Sequence, residues 1–313
     1  MARRHYPDRH ILEALQHYCI GHTYERAAEL LNDRFGYCLN KGTIHRWVER
    51  YGRAMPYLRV RENGRAYHPS NLITRHRFSH RQSYHFGCHN KKLALAVAGD
   101  LDPRVSRHVP VEELADFLRN IAARVRDVTF DGPDILRASA LRNSFVDARV
   151  PVSIHHTAAV ASAALVIPTV TENTERHPRL QEFMLVADDA TLAVEVPLWL
   201  DRADISALDA RYGIDLLAAA PALEHPAGGY AAVTGHADII QLRDGKVHVL
   251  DYKPGARLEK PYAQLTLYAL ALTRRIPGLA LMDIRCTWFD EHHAYAFEPR
   301  EALRSRVLEW DRC

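Results

Sequence analysis

The stretch from Gly235 to Tyr268, GHADIIQLRDGKVHVLDYKPGARLEKPYAQLTLY, holds two aspartates and a lysine whose spacing suits chemistry on a phosphate ester. Two carboxylates, Asp238 and Asp251, can hold a hard divalent cation such as Mg2+ or Mn2+, which prefers oxygen ligands. Such a cation activates a water and stabilises charge on a phosphoryl oxygen. Lys253 can position the water or neutralise the phosphorus centre. The elements that must deliver these groups are legible nearby. Val247, Val249, Asp251 and Lys253 alternate with His248, Leu250 and Tyr252, a strand of period two that puts Asp251 and Lys253 on one face. Ala237 to Leu242 reads as its partner strand, and Asp244-Gly245 as the hairpin turn between them, which returns Asp238 toward Asp251. A helix begins near Pro261, and Gln264 and Tyr268, four apart, share one of its faces.

Gly235-x-x-Asp238, Asp251-Tyr252-Lys253 and Gln264-x-x-x-Tyr268, in that order, resemble the PD-(D/E)XK nuclease superfamily, and most of all its RecB-like branch. The resemblance covers roughly the C-terminal half. It implies a restriction-endonuclease-like α/β fold, a mixed central sheet flanked by helices, with Asp238, Asp251 and the backbone carbonyl of Tyr252 on the metal. It implies Lys253 beside the scissile phosphate, and Gln264 and Tyr268 supporting the site or touching the DNA backbone. Upstream, LAVEVPLWL (192–200) is similar to the Val-Glu-Val strand of that branch, so Glu195 joins the metal shell or orients it. His155-His156 opens an apolar run, Thr157 to Ile167, placed like the branch's first helix; by resemblance His155 or His156 is an extra ligand, and a capping or buried role is the alternative. The iron–sulfur cluster of some RecB-like nucleases is not carried over, because only Cys286 and Cys313 follow the motifs.

Length and composition agree with a two-domain protein in a reducing compartment. The chain has 313 residues, 47% hydrophobic and 25% charged, with five scattered cysteines that suit free thiols. No run is long and apolar enough to span a bilayer, and MARRHYPDRH lacks a signal-peptide core, so a cytoplasmic location is expected. The net charge of +3 hides an asymmetry: the first 92 residues hold 17 Lys and Arg against 7 Asp and Glu. That basic portion is the footprint of a nucleic-acid binder.

Within it, Ile11–Cys19, Tyr24–Phe35 and Lys41–Tyr51 read as three helices, with Thr23 as an N-cap and Gly36 as a stop. The string AAELLNDRFGYCLNKGTIHRWVERYG resembles the homeodomain-like helix-turn-helix of transposases, a small all-α domain. The resemblance places the third helix in a major groove, with Lys41, Thr43, His45, Arg46 and Arg50 facing DNA. A bundle that only packs on the rest of the chain is the alternative. Residues 53–92 are dense in Arg and His; the spacing of His76, His80, His85 and Cys88 matches no strong zinc pattern, and a basic nucleic-acid-facing segment is favoured, with Tyr84 and Phe86 able to stack on bases. Val111 to Val125 and Ile135 to Phe145 read as helices, and Asp204 to Ala220 as helical before a loop at 221–229.

The expected organisation is a helix-turn-helix domain at 1–58, a basic connecting region with helices at 59–145, and the nuclease domain at 146–313. The expected function is a Mg2+- or Mn2+-dependent deoxyribonuclease directed to DNA by its N-terminal helices, in mobile-element, defence or repair biology. The partner is DNA, with no membrane, and a homodimer is left open. The rival readings are a non-catalytic DNA-binding factor with a nuclease-like fold, and hydrolysis of RNA or a nucleotide by the same site.

Overall fold

A computed structural model describes residues 6–51, 72–80, 82–102, 104, 108–125, 130–141, 146, 152–154, 157–213, 216 and 231–307. His155 and His156 lie outside these, as do His68 and the loop at 221–229.

Three helices open the chain: α1 (Asp8–Cys19), α2 (Tyr24–Phe35) and α3 (Lys41–Tyr51). Thr23 caps α2 by accepting from the Arg26 amide at 3.1 Å, and Gly36 ends it with φ 65°, a left-handed conformation open to glycine at little cost. The Asn32 side chain donates to the Leu39 carbonyl at 2.9 Å and accepts from its amide at 2.7 Å, which fixes the turn into α3. There follow β1 (Ile73–His80), β2 (Gln82–His89), α4 (Asn90–Val97), α5 (Val111–Arg119), α6 (Ile121–Val125), β3 (Ile135–Arg137) and β4 (Ser153–Ile154). The remainder is α7 (Ala158–Val166), α8 (Arg176–Ala187), β5 (Thr191–Asp201), α9 (Arg202–Tyr212), β6 (Ala232–Arg243), β7 (Lys246–Tyr252), α10 (Tyr262–Arg275), β8 (Ile284–Phe289), β9 (Ala294–Phe297) and α11 (Pro299–Val307).

The nine strands form one sheet in the order β1-β2-β5-β6-β7-β8-β9-β4, with β3 on β6. It is mostly antiparallel; β7–β8 and β3–β6 are the parallel pairs. This is the mixed sheet flanked by helices that the motifs imply. Side chains alternate between two cores. Val233, Ala237, Ile240, Val247 and Val249 pack with α5, α9 and α10, whereas Val194, Ile239, Leu250 and Tyr252 pack with α7 and α8. α10 is buried nearly all round, as a helix with apolar residues on every side must be.

Four expectations change. The segment at 59–145 does more than connect: β1 and β2 extend the sheet through Gly87↔Val194 and Cys88↔Ala193. Ile135–Arg137 is a strand, paired in parallel with Ala232–Thr234, and a single 3-10 turn, Ala138–Ala140, follows it; residues 142–145 lie outside the described ones. Asn120 interrupts the helix at 111–125, and α9 stops at Gly213 (φ 61°). The N-terminal helices share a core with α7 and α8: Leu15, Leu31, Ile44 and Trp47 belong to the same cluster as Val160, Phe183 and Met184. α1 packs directly on α8.

Candidate active site

The β6–β7 hairpin turns through Asp244 (φ 54°) and Gly245 (φ 76°), the two positive φ values of a type I′ turn. Ladder pairing runs from Arg243↔Lys246 to Ile239↔Leu250 and stops. The next residues in register, Asp238 and Asp251, lie where the strands part. Freed from the ladder, the Tyr252 amide donates to Asp238 Oδ2 at 3.1 Å. The two carboxyl groups lie close enough for each to shift the other's titration. Lys253 Nζ stands 3.0 Å from Asp251 Oδ2.

The third carboxylate comes from β5. Val194↔Ile239 and Val196↔Ala237 flank Glu195, which therefore sits across from Asp238. Its φ of 50° is rare for a residue with a Cβ, a conformation that costs about 1–3 kcal/mol and is held only by surroundings that over-determine it. One such constraint is Gln181 of α8, whose Nε2 donates to Glu195 Oε1 at 2.6 Å. One turn earlier on α8, His177 Nδ1 lies 3.4 Å from Asp238 Oδ2, and its ring meets the Tyr252 ring edge-on at 5.0 Å. Glu195, Asp238 and Asp251 thus form a row across three adjacent strands, with α8 covering one side.

The electrostatics follow from packing acids together away from water. Burial, then the neighbouring Asp238 charge, raise Glu195 to about 7. The same two causes push Asp251 well above the carboxylate range, despite Lys253. Burial also works on Asp238, but His177, Asp251 and Lys253 outweigh it and hold Asp238 below its ordinary value. Two desolvated carboxyls in contact oppose each other's ionisation, so one is pushed up and the other held down. Burial opposes the Lys253 ammonium, yet Asp251 and Asp238 raise its pKa, so it stays charged.

Gln264 and Tyr268 do not reach the carboxylates as ligands. Tyr268 is buried, and its ring lies against Gly235: a Cβ there would be 2.6 Å from Tyr268 Cε1 and 2.8 Å from Tyr268 Oη. Gln264 Nε2 donates to Tyr268 Oη at 3.1 Å. The glycine of the first motif and the tyrosine of the third are thus one packing unit, which leaves Tyr268 no surface for DNA. The turn after Lys253 is pinned from behind: Asp290 Oδ2 accepts from the Ala256 amide at 2.9 Å, and Trp288 Nε1 donates to the Ala256 carbonyl at 2.9 Å.

Among the described residues, no three His, Cys, Asp or Glu side chains stand in an arrangement that would hold a metal ion. Asp238 and Asp251 lie side by side where the ladder ends, and Glu195 is engaged by Gln181. His155 and His156 fall outside the described residues, and the histidine that does meet the carboxylates is His177. Sequence reading missed His177 and Gln181, although their spacing of four puts them on one helix face. The histidines of β1 and β2 do not converge either. On a two-stranded ribbon His76 and His85 are exposed, whereas His80 stacks on Phe130 and His89 is buried at the start of α4. Phe86 is a core residue, and Tyr84 lies flat on His236, so neither ring is presented to a base. Lys41, His45, Arg46 and Arg50 are exposed on α3, with Thr43 half-buried; none of them is part of the carboxylate cluster.

An acidic row across three strands, with a lysine at the opening of the sheet, is a grouping suited to chemistry at phosphorus. The model of the PD-(D/E)XK nuclease superfamily matches residues 132–304, more than half of the chain, and the chain belongs to that superfamily. The matched region begins just before β3 and ends within α11. No curated protein and no solved structure matches the chain.

Proposed function

We propose that the protein is a metal-dependent deoxyribonuclease of the RecB-like kind, with Asp238 and Asp251 holding Mg2+ or Mn2+ and Glu195 and the Tyr252 carbonyl completing the shell. The observation that carries this is the opening of the β6–β7 ladder, which brings both aspartates and Lys253 to one point. The residues fit a hard cation. Asp251 Oδ2 is buried with no partner besides its ion pair with Lys253, and every other donor in the row is also oxygen. When bound, such an ion would supply Lewis acidity toward a phosphoryl oxygen and a water of lowered pKa.

The protein's own groups do the rest. Lys253, charged and fixed by Asp251, offers a donor to the scissile phosphate and to the attacking water. Gln181 orients Glu195, and His177 steadies Asp238. Tyr268 and Gln264 are positioning residues, which hold the Gly235–Asp238 segment of β6 in place. Charge on the phosphate is met by dipoles and cations already in position, and this is the largest source of rate in such sites.

We infer further that α1–α3 bring nucleic acid to this site, through the exposed Lys41, His45, Arg46 and Arg50 and through Thr43. Their shared core with α8 supports a fixed geometry between a DNA-reading helix and the carboxylates. A mobile-element, defence or repair setting agrees with the pairing of these two parts.

The test is cleavage of duplex, single-stranded and branched DNA, and of RNA, in Mg2+, Mn2+ or chelator. Asp251→Asn and Lys253→Ala should each lose at least about 100-fold in rate with unchanged circular dichroism. Equal cleavage by wild type and both variants would overturn the reading. Metal binding without cleavage of any substrate would instead favour the non-catalytic DNA-binding factor.

A further inference from the structure

The edge of β6 that receives β7 is not continuous. β7 occupies it from Ile239 to Arg243 and β3 from Ala232 to Thr234, so among the described residues no strand flanks Gly235 to Asp238 on that side. β3 runs parallel to β6 and β7 antiparallel, so their C-terminal ends approach this gap from opposite directions. β7 brings Asp251 and Lys253 to it. β3 brings Arg137, level with Thr234.

Arg137 is half-buried. It donates from a terminal guanidinium nitrogen to Tyr84 Oη at 2.6 Å. The Tyr84 ring lies on the His236 ring, 3.5 Å between centroids and 6° from parallel. His236 is within hydrogen-bond distance of His80, 3.1 Å between ring nitrogens, and His80 stacks on Phe130 with centroids 3.9 Å apart. This column of rings fixes the guanidinium beside the strand segment that carries Asp238.

Its charge is not spent within the protein. Arg34, Arg75, Arg243, Arg274, Arg275 and Arg285 each pair with an aspartate or glutamate. Among the described residues no carboxylate pairs with Arg137. A guanidinium held in place, with donors to spare, at one end of a gap whose other end carries Asp251 and Lys253, is arranged for an anion. Its planar fork matches two oxygens of one phosphate.

We propose that Arg137 is the second cation of the site, binding the non-bridging oxygens of a nucleic-acid phosphate across the gap from Lys253, with Tyr84 as its positioning residue. The identity of the ligand as a nucleic-acid strand rests on the nuclease reading; the anion site itself rests on the arrangement at the end of β3.

The test measures binding of a short fluorescein-labelled DNA duplex to the full chain in chelator, across a KCl series, so that cleavage plays no part. Arg137→Ala should weaken affinity about 10-fold and lower the slope of log K against log salt by about 0.9, the loss of one phosphate contact. Arg137→Gln retains an N–H for Tyr84 and keeps the brace, so it should show the same loss of slope even if the alanine variant folds poorly. Arg137→Lys should restore the slope but not the full affinity. Tyr84→Phe should weaken affinity with the slope intact. An unchanged slope in Arg137→Gln, with or without a lower melting temperature, would mean a purely structural brace and end the proposal. If wild type cleaves nothing yet Arg137→Gln shows the slope change, the nuclease reading fails and the anion site stands. If cleavage is normal and the slope is unchanged, only the anion site fails.

Discussion

Replacing Gly235 by alanine adds one carbon where the structure leaves no room. The new Cβ would sit 2.6 Å from Tyr268 Cε1 and 2.8 Å from its hydroxyl, and the ring cannot swing away because it is 5% exposed and held by Gln264. The backbone itself accepts alanine, which elsewhere in such a conformation stabilises by about 0.5 kcal/mol through the unfolded chain. The penalty is therefore steric, an overpacking cost of about 1–3 kcal/mol. Tyr268→Ala alone removes a buried ring and should cost about 3–5 kcal/mol. In that background the added methyl meets empty space, so Gly235→Ala becomes neutral or slightly favourable. The double variant should then be more stable than the sum of the singles by about 2 kcal/mol, read from urea unfolding followed by tryptophan fluorescence. Gly235→Ala alone should also reduce metal-dependent cleavage, since Asp238 is three residues along the same strand. Additivity within about 0.5 kcal/mol would refute the idea that glycine and tyrosine form one unit.

Gln181→Leu removes the donor to Glu195 and should weaken Mn2+ binding by about 10-fold in calorimetry, as loss of a hydrogen bond to a ligating carboxylate does elsewhere; equal affinity would separate Glu195 from the metal. His248 is buried, and burial, then Arg285, hold its pKa at about 4, against an ordinary 6.5. The unfolded chain takes up this proton first, so the neutral ring's contribution is complete above pH 6.5 and is lost as the pH falls to about 4, by at most about 3 kcal/mol. His248→Gln should flatten the fall of the urea midpoint over that window; an identical profile would assign the acid sensitivity to other groups. Lys92, fully buried, donates to the Leu185 carbonyl at 2.8 Å and to Asp188 at 3.3 Å. Lys92→Met should destabilise by about 3–5 kcal/mol, because Asp188 stays buried without its cation, and a thermal midpoint within a degree or so of wild type would contradict this.

What could be read from the sequence is what local chemistry dictates. Period-two alternation from Val247 to Lys253 and the Asp-Gly turn placed β7, its hairpin and the Asp238–Asp251 approach. Thr23 and Gly36 marked the ends of α2. The rest depends on contacts made at a distance. β3 is three residues long, too short for any period to show, and Leu-Arg-Ala-Ser-Ala reads equally as helix. β1 exposes four consecutive residues, Thr74 to Arg77, so its apolar alternation is lost under Arg and His; only two pairs join β2 to β5. α8 is buried on several sides between Phe183 and Ala187, which removes the amphipathic stripe that would announce it and hides the partners of Glu195 and Asp238.

The interrupted edge of β6 explains why these elements belong together. A sheet paired on every side would spend the backbone of Gly235–Asp238 on a ladder and leave no opening for a phosphate. Opening it strands polar groups that cannot stay unmet in a buried place. The structure meets one of them with the site's own side chain: Asp238 Oδ2 accepts from the Tyr252 amide. Asp238 therefore has two duties, since the oxygen that bonds Tyr252 is lost as a free ligand. Asp238→Asn keeps an acceptor for that amide and should preserve the fold while removing the charge. Asp238→Ala leaves the amide unmet and should lose stability as well as metal binding. A melting point for the alanine variant equal to that of the asparagine variant would show that the gap is held open by other means.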